Sequence, residues 1–178
     1  PQVAADYAIR AIMAMLLALI MIVTYVAVRF GELNFGLAAI VALVHDVAVS
    51  IGAIAVSSYV ARFMTGWNFL LITDFKIDLA MVGAFLTIVG FSINDTIVIF
   101  DRVRENRGKL KQVNERMIDA SINQTLSRTI LTSFTVILAL LIMYIFGGDG
   151  IHGFCFAMLV GCISGTYSTL AIATPLVL

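Results

Sequence analysis

Two carboxylates in this sequence stand where carboxylates are costly. Asp95 lies inside the apolar run that ends at Asp101-Arg102. It comes six residues before Asp101, roughly 9 Å along a helix at about 1.5 Å per residue. That is about a third of the way into a hydrocarbon core of roughly 30 Å. A charged side chain there costs about 2.5–3.5 kcal/mol on insertion scales. Such a cost calls for a partner, a water-filled cavity or a role in moving charge. Asp46 falls eleven residues past Phe35 in another apolar run, roughly 16 Å in and near mid-membrane. Carboxylates so placed suit the passage of a proton or a small cation.

Arg128 stands at the start of the next apolar run after Asp95. The two runs are consecutive, so as helices they are antiparallel, with both residues nearer the same membrane face. Asp95 is therefore expected to face the interior with a polar partner in reach, the Arg128 guanidinium first and an Asn or Ser/Thr second. Burial disfavours a charged carboxylate and a nearby guanidinium favours it. Opposed influences of this kind suit a group that changes protonation during a cycle. The alternative is a permanent ion pair clamping two helices. Asn94 is expected to support Asp95 by hydrogen bonding, and Thr132 shares a helix face with Arg128. His45-Asp46 is open between two readings. One is a second relay element, since histidine titrates near neutrality. The other is a buried hydrogen-bonded pair that fixes the bundle.

Other reactive residue types suggest no chemistry. Cys155 and Cys162 lie seven apart on one predicted helix, roughly 10 Å along its axis. A disulfide needs Cα atoms within about 7 Å, so they read as small packing residues. Asp149 and His152 fall in a turn and read as solvated. No metal-ligand spacing, phosphate loop, zinc signature or Ser/His/Asp set is present. The expectation is no enzyme and no cofactor, with H⁺ or Na⁺ as the transported species.

The elements that must position these residues are membrane helices. Hydrophobic residues make up 61% of the 178 and charged ones 12%, against about 45–50% and about 25% in soluble domains. Mean hydropathy is +1.05. Net charge is zero, which suggests no nucleic-acid partner. Five spans are expected at about 11–28, 35–58, 79–100, 129–146 and 154–175, each long enough to cross. The continuous runs exclude the alternating segments of a barrel. The fold class is therefore all-α, a polytopic helix bundle forming a single transmembrane domain over residues 1–178. The N-terminus has no n-region and does not read as a signal peptide.

Of the 11 Lys and Arg residues, seven lie between Asp101 and Arg128. By the positive-inside rule this connection is cytoplasmic, which puts the N-terminus outside and the C-terminus inside. Within it, Leu110, Val113, Met117 and Ile118 recur at helical spacing. Lys109–Ile122 thus reads either as an amphipathic helix lying on the membrane face or as a solvated helical hairpin. In the Tyr59–Asp78 connection, Phe63, Trp67, Phe69 and Phe75 read as interface anchors. Gly147-Gly148 reads as a turn.

In lipid, helices meet through small residues and buried polar groups. Four stripes of this kind are expected to face the interior. They are Gly83/Thr87/Gly90/Asn94, Ala42/Asp46/Ser50/Ala53/Ser57, Ser121/Thr125/Arg128/Thr132/Thr135/Ala139 and Gly161/Gly165/Ser168.

Two motifs are recognisable. GFSINDTIVIFDRVREN at 90–106 and NQTLSRTILTSFT at 123–135, with VHD at 44–46 and FGG at 146–148, closely resemble SecF. SecF is the family of protein-export membrane proteins that works with SecD, in the resistance–nodulation–division superfamily. The resemblance runs from about Tyr7 to the end. It implies half of a resistance–nodulation–division type membrane domain, without the family's first transmembrane helix, its periplasmic domain or a SecD half. On this resemblance the chain is expected to be a fragment. The partners implied are SecD, the Sec protein-conducting channel, an exported polypeptide and the lipid bilayer of a bacterial or archaeal plasma (inner) membrane. In the family the residues matching Asp95 and Arg128 are tied to proton transport. The implied function is use of the proton-motive force to assist protein translocation. The alternatives are a passive structural module with a static Asp95/Arg128 clamp, or a small-solute exporter of the same superfamily.

Overall fold

The computed structural model describes residues 2–31, 33–63, 75, 78–108, 110 and 113–178. Among them are five α-helices: α1 Gln2–Phe30, α2 Leu33–Phe63, α3 Leu79–Arg107, α4 Glu115–Phe146 and α5 Asp149–Ser168. There is no strand among the described residues. All five helical passes are long and apolar enough to cross a membrane. The expected all-α polytopic bundle is the fold observed. Helices are the natural solution because lipid offers nothing to bond a backbone N–H or C=O.

Helix ends follow local chemistry rather than the limits of the apolar runs. The Asp78 side chain accepts from Met81 N at 2.8 Å and opens α3. Gly108, at φ 55, closes it, its N–H reaching the carbonyls of Arg104 and Glu105. A left-handed residue at that position suits glycine. Asn114 caps α4 by accepting from Arg116 N at 3.3 Å. So α3 continues through the charged collar, and the loop expected over 101–128 shrinks to a few residues. The Lys109–Ile122 stretch, read as an amphipathic surface helix or a solvated helical hairpin, is described at Leu110 and from Val113 on, and no separate helix precedes α4 among these residues. Glu115–Ile122 is instead the first two turns of α4, because Ile118, Ser121 and Thr125 continue that helix's buried row. At the other end of the chain, α5 passes into a π-helical turn, Thr169–Ala173, just before Pro175. Proline has no N–H for a further α turn and its ring crowds the one before.

In the bundle, α5 is central and packs on α2, α3 and α4, while α1 lies at the edge against α2 and α3. Two apolar clusters fill the bundle. One includes Phe30, Phe35 and Phe100, whose ring centroids lie 5.1 to 5.8 Å apart. The other includes Phe85, Ile88, Met158 and Cys162. Between them along the helices lies a polar layer from Asp46, Ser92, Asp95, Ser133, Ser164 and Ser168, all buried.

Two expectations need correction. Phe75 is not an interface anchor but a core residue, stacked on Phe156 at 5.2 Å. Trp67, Phe69 and the Phe63 side chain lie outside the described residues. His152 is not in a solvated turn. It sits on the first turns of α5, buried beside the Tyr144 ring at 5.4 Å. A tighter Gly147-Gly148 turn than expected brings it inward. Cys155 and Cys162 are buried and free.

The contact between α5 and α3 depends on a missing side chain. A Cβ at Gly161 would stand 2.4 Å from Ile88 Cδ1 and 2.9 Å from its Cγ2. Replacing Gly161 by Val should therefore cost about 1–3 kcal/mol by overpacking. Thermal melting in detergent checks this, and an unchanged melting temperature would show that Ile88 has room to turn.

Candidate functional site

Asp95 projects from α3 into the interior and is 4% exposed. Its Oδ2 accepts from Ser133 Oγ of α4 at 3.4 Å, a long contact. Ser133 Oγ in turn lies 2.8 Å from Thr166 Oγ1 of α5. Thr166 also reaches the Cys162 carbonyl at 2.8 Å. Each hydroxyl has one proton to donate, so Thr166 can face either Ser133 or the carbonyl. Asp95 thus ends a short hydroxyl chain across α3, α4 and α5.

Asp46, fully buried on α2, has far more partners. Its Oδ2 accepts from Ser92 Oγ of α3 at 2.6 Å and from Ser168 Oγ of α5 at 2.8 Å. Its Oδ1 accepts from Ser164 Oγ of α5 at 3.0 Å and lies 3.2 Å from His45 Nδ1. A carboxylate offers about four acceptor positions, and all four are taken. Close approach of α5 makes this possible. A Cβ at Gly165 would lie 3.3 Å from Ser92 Cβ and 3.5 Å from Asp46 Oδ2. Beside the cage, Thr96 and Thr169 hydroxyls meet at 3.2 Å where the π turn begins. His45 keeps a side-chain exposure of 35%, so it links the cage to the bundle's outer face.

The expected Asp95–Arg128 pair is not formed. Arg128 is exposed and, among the described residues, makes no ion pair with Asp95. Asn94 is also exposed, and no hydrogen bond among the described residues joins it to Asp95. Thr132 is exposed and spends its hydroxyl on the carbonyls of Arg128 and Thr129 at 3.0 and 2.9 Å. Among the described residues no three His, Cys, Asp or Glu side chains converge as metal ligands.

These misses have one cause. A step of one residue turns a side chain about 100° around a helix. On α4 the buried row is Ser121, Thr125, Thr129 and Ser133, not the expected row through Arg128, Thr132, Thr135 and Ala139, which is exposed. On α3, Thr87, Gly90 and Asn94 are exposed too, while Ser92, Asp95 and Thr96 face inward. The stripes on α2 and α5 are buried as expected, apart from the half-buried Ala53. The i, i+4 spacing of Ser121, Thr125, Thr129 and Ser133, or of Ser92 and Thr96, was the signal available for finding the inward rows.

The two long motifs lie against each other. Besides Ser133 on Asp95, Gln124 Oε1 accepts from Arg102 Nε at 2.6 Å and from Asn106 Nδ2 at 3.1 Å. Asn106 Nδ2 also donates to Ser121 Oγ at 2.7 Å. Arg29 joins α1 to the collar through Asp101 at 3.2 Å. That pair is exposed, so it contributes about 0–1 kcal/mol.

Comparison with known proteins places this arrangement. The family model described as protein export membrane protein SecD/SecF, C-terminal, matches residues 1–178. The chain is 44% identical to protein translocase subunit SecF of Rhodothermus marinus, over 100% of this chain and 54% of that protein. It is 44% identical to the subunit of the same name from Rhodobacter capsulatus, over 100% of this chain and 49% of that one. The chain therefore spans about half the length of these curated relatives. It is also similar to the crystal structure of SecDF, a translocon-associated membrane protein, from Thermus thermophilus. There the TM-score is 0.75 at 40% identity, covering 94% of this chain and 21% of that one. With SecDF in its super-membrane-facing form the TM-score is 0.74, also at 40% identity, covering 93% of this chain and 20% of that one. A multi-pass helix bundle with these motifs, matched along its whole length, belongs to the SecD/SecF family of protein-export membrane proteins.

Proposed function

We propose that this chain is the C-terminal membrane part of a SecF-type subunit. It works with SecD beside the Sec channel and uses the proton-motive force to help draw exported polypeptide across the plasma (inner) membrane. The observation that carries this reading is Asp95. It is buried inside a membrane helix and, among the described residues, has one long hydroxyl contact and no bonded cation. One charge crossing 100 mV yields about 2.3 kcal/mol, close to the cost of about 2.5–3.5 kcal/mol for holding a charge at that depth. Taking up and losing a proton at Asp95 is therefore an exchange that the gradient can drive. Hard cations gather about six oxygen ligands, and among the described residues one side-chain hydroxyl bonds Asp95. This favours H⁺ over Na⁺ as the carried ion.

The partner reading rests on the outward stripes. Thr87, Gly90 and Asn94 of α3, and Arg128, Thr132, Thr135 and Ala139 of α4, are surfaces that membrane helices use to pack. We assign them to the SecD half of the bundle, with Arg128 at the seam. The passive-clamp reading has less support, because its two residues are not bonded in this chain. The exporter reading has less because the relatives are named protein translocase subunits.

The test is gradient-driven export by the full-length subunit with SecD, comparing wild type with Asp95→Asn. Orientation is tested separately. Seven of 11 basic residues lie between Asp101 and Arg128, so a Leu110→Cys variant should react with an impermeant thiol reagent only from the cytoplasmic side. Labelling only from outside would reverse the proposed topology.

A further inference from the structure

The polar layer holds a second carboxylate that the proposed ion route does not use. Asp46 ties three helices at one point, bonding from α2 to Ser92 on α3 and to Ser164 and Ser168 on α5. Both arms lead to Asp95. Ser92 stands three residues before Asp95 on α3, about 4.5 Å or just under one turn along the helix. Ser164 and Ser168 flank Thr166, whose hydroxyl lies 2.8 Å from Ser133 Oγ. Ser133 is the hydroxyl that reaches Asp95.

We infer that Asp46 is a positioning residue for Asp95: through Ser92 it sets the height and rotation of α3, and through Ser164 and Ser168 it holds α5 where Thr166 meets Ser133. This inference rests on the proposed role of Asp95 as the group that takes up the proton.

The geometry leaves little slack. A slip of α5 by one residue is about 1.5 Å of rise and a turn of about 100°. The turn swings the Thr166 side chain away from Ser133 and breaks the contact. The close packing at Gly165 against Ser92 Cβ and Asp46 Oδ2 resists the same slip. Asp46 therefore acts on Asp95 through packing and hydrogen bonds and does not touch the moving ion. Among the described residues the titratable group in contact with Asp46 is His45, at 3.2 Å, and no charged side chain is paired with Asp95.

The test uses the full-length subunit with SecD, reconstituted in vesicles, carrying Ser92→Ala or the double change Ser164→Ala/Ser168→Ala. Three quantities are read: gradient-driven export against pH, thermal melting, and the titration midpoint of Asp95. The last is followed by its infrared carboxyl band, identified by its loss in Asp95→Asn. The midpoint should move by about one pH unit, a tenfold change in proton affinity, and export per folded protein should fall roughly tenfold, beyond what any drop in melting temperature explains. Returning one hydroxyl, as Ser168→Thr with Ser164→Ala, should recover part of both. An unmoved midpoint overturns the inference, whether export stays normal or falls only with the amount of folded protein. If Asp95→Asn itself exports normally, the proposed role of Asp95 fails. A midpoint that still moves in the serine variants would even then support Asp46 as the residue that positions it.

Discussion

Asp95→Asn should abolish gradient-driven export while leaving the bundle folded. Asparagine keeps the side chain's volume and can still accept from Ser133. It loses only the ability to take up and release a proton. Among the described residues the native carboxylate has one 3.4 Å hydrogen bond to lose, and interhelical hydrogen bonds in membranes average about 0.6 kcal/mol. The melting temperature should therefore hardly change. Losing a group that transfers protons typically costs about 10²- to 10⁴-fold in rate, so export should fall at least about a hundredfold. The assay compares vesicles with and without an imposed gradient, using full-length protein with SecD. If the variant exports at the wild-type rate, Asp95 is structural and the passive-module reading takes its place.

Asp46→Ala should do the reverse and destabilise the bundle first. Three buried serines on two helices lose their shared acceptor. At about 0.6 to 1.7 kcal/mol per bond, the loss is about 2–5 kcal/mol. Partial relief is available at Ser168, which already lies 3.2 Å from the Gly165 carbonyl. Serine can turn to such a carbonyl within its own helix, so the lower half of that range is expected. Thermal melting in detergent should place Asp46→Ala well below both wild type and Asp95→Asn. Equal melting of the two variants would mean that the serine cage adds nothing to stability.

Much of this chain was legible before its fold. Five helical passes follow from hydropathy, because each apolar run must satisfy its own backbone in lipid. The depths of Asp46 and Asp95 follow from a fixed rise per residue. The motifs around Asp95 and Asn123 carry the family. Less legible were the helix ends. Cap residues Asp78, Asn114 and Gly108 set those, and charged turns continue α3 and α4 beyond the hydrocarbon.

Rotation about each helix axis was decided only by the tertiary structure. In water a hydrophobic face points inward, but in lipid both faces are apolar and no such direction exists. Small and polar stripes mark contacts without saying whether the partner is in the same chain. For α2 and α5 the partner is in this chain, and their stripes are buried. For α3 and α4 the chosen stripes face outward, and Ser92, Asp95 and Ser133 turn inward instead. The sequence by itself therefore determined that Asp95 is a carboxylate at membrane depth beside hydroxyl-bearing helices. Only packing decided that Ser133 rather than Arg128 touches it, and that Asp46 gathers three serines. A step of one residue swings a side chain by about 100°, and nothing in a single lipid-facing helix fixes that angle.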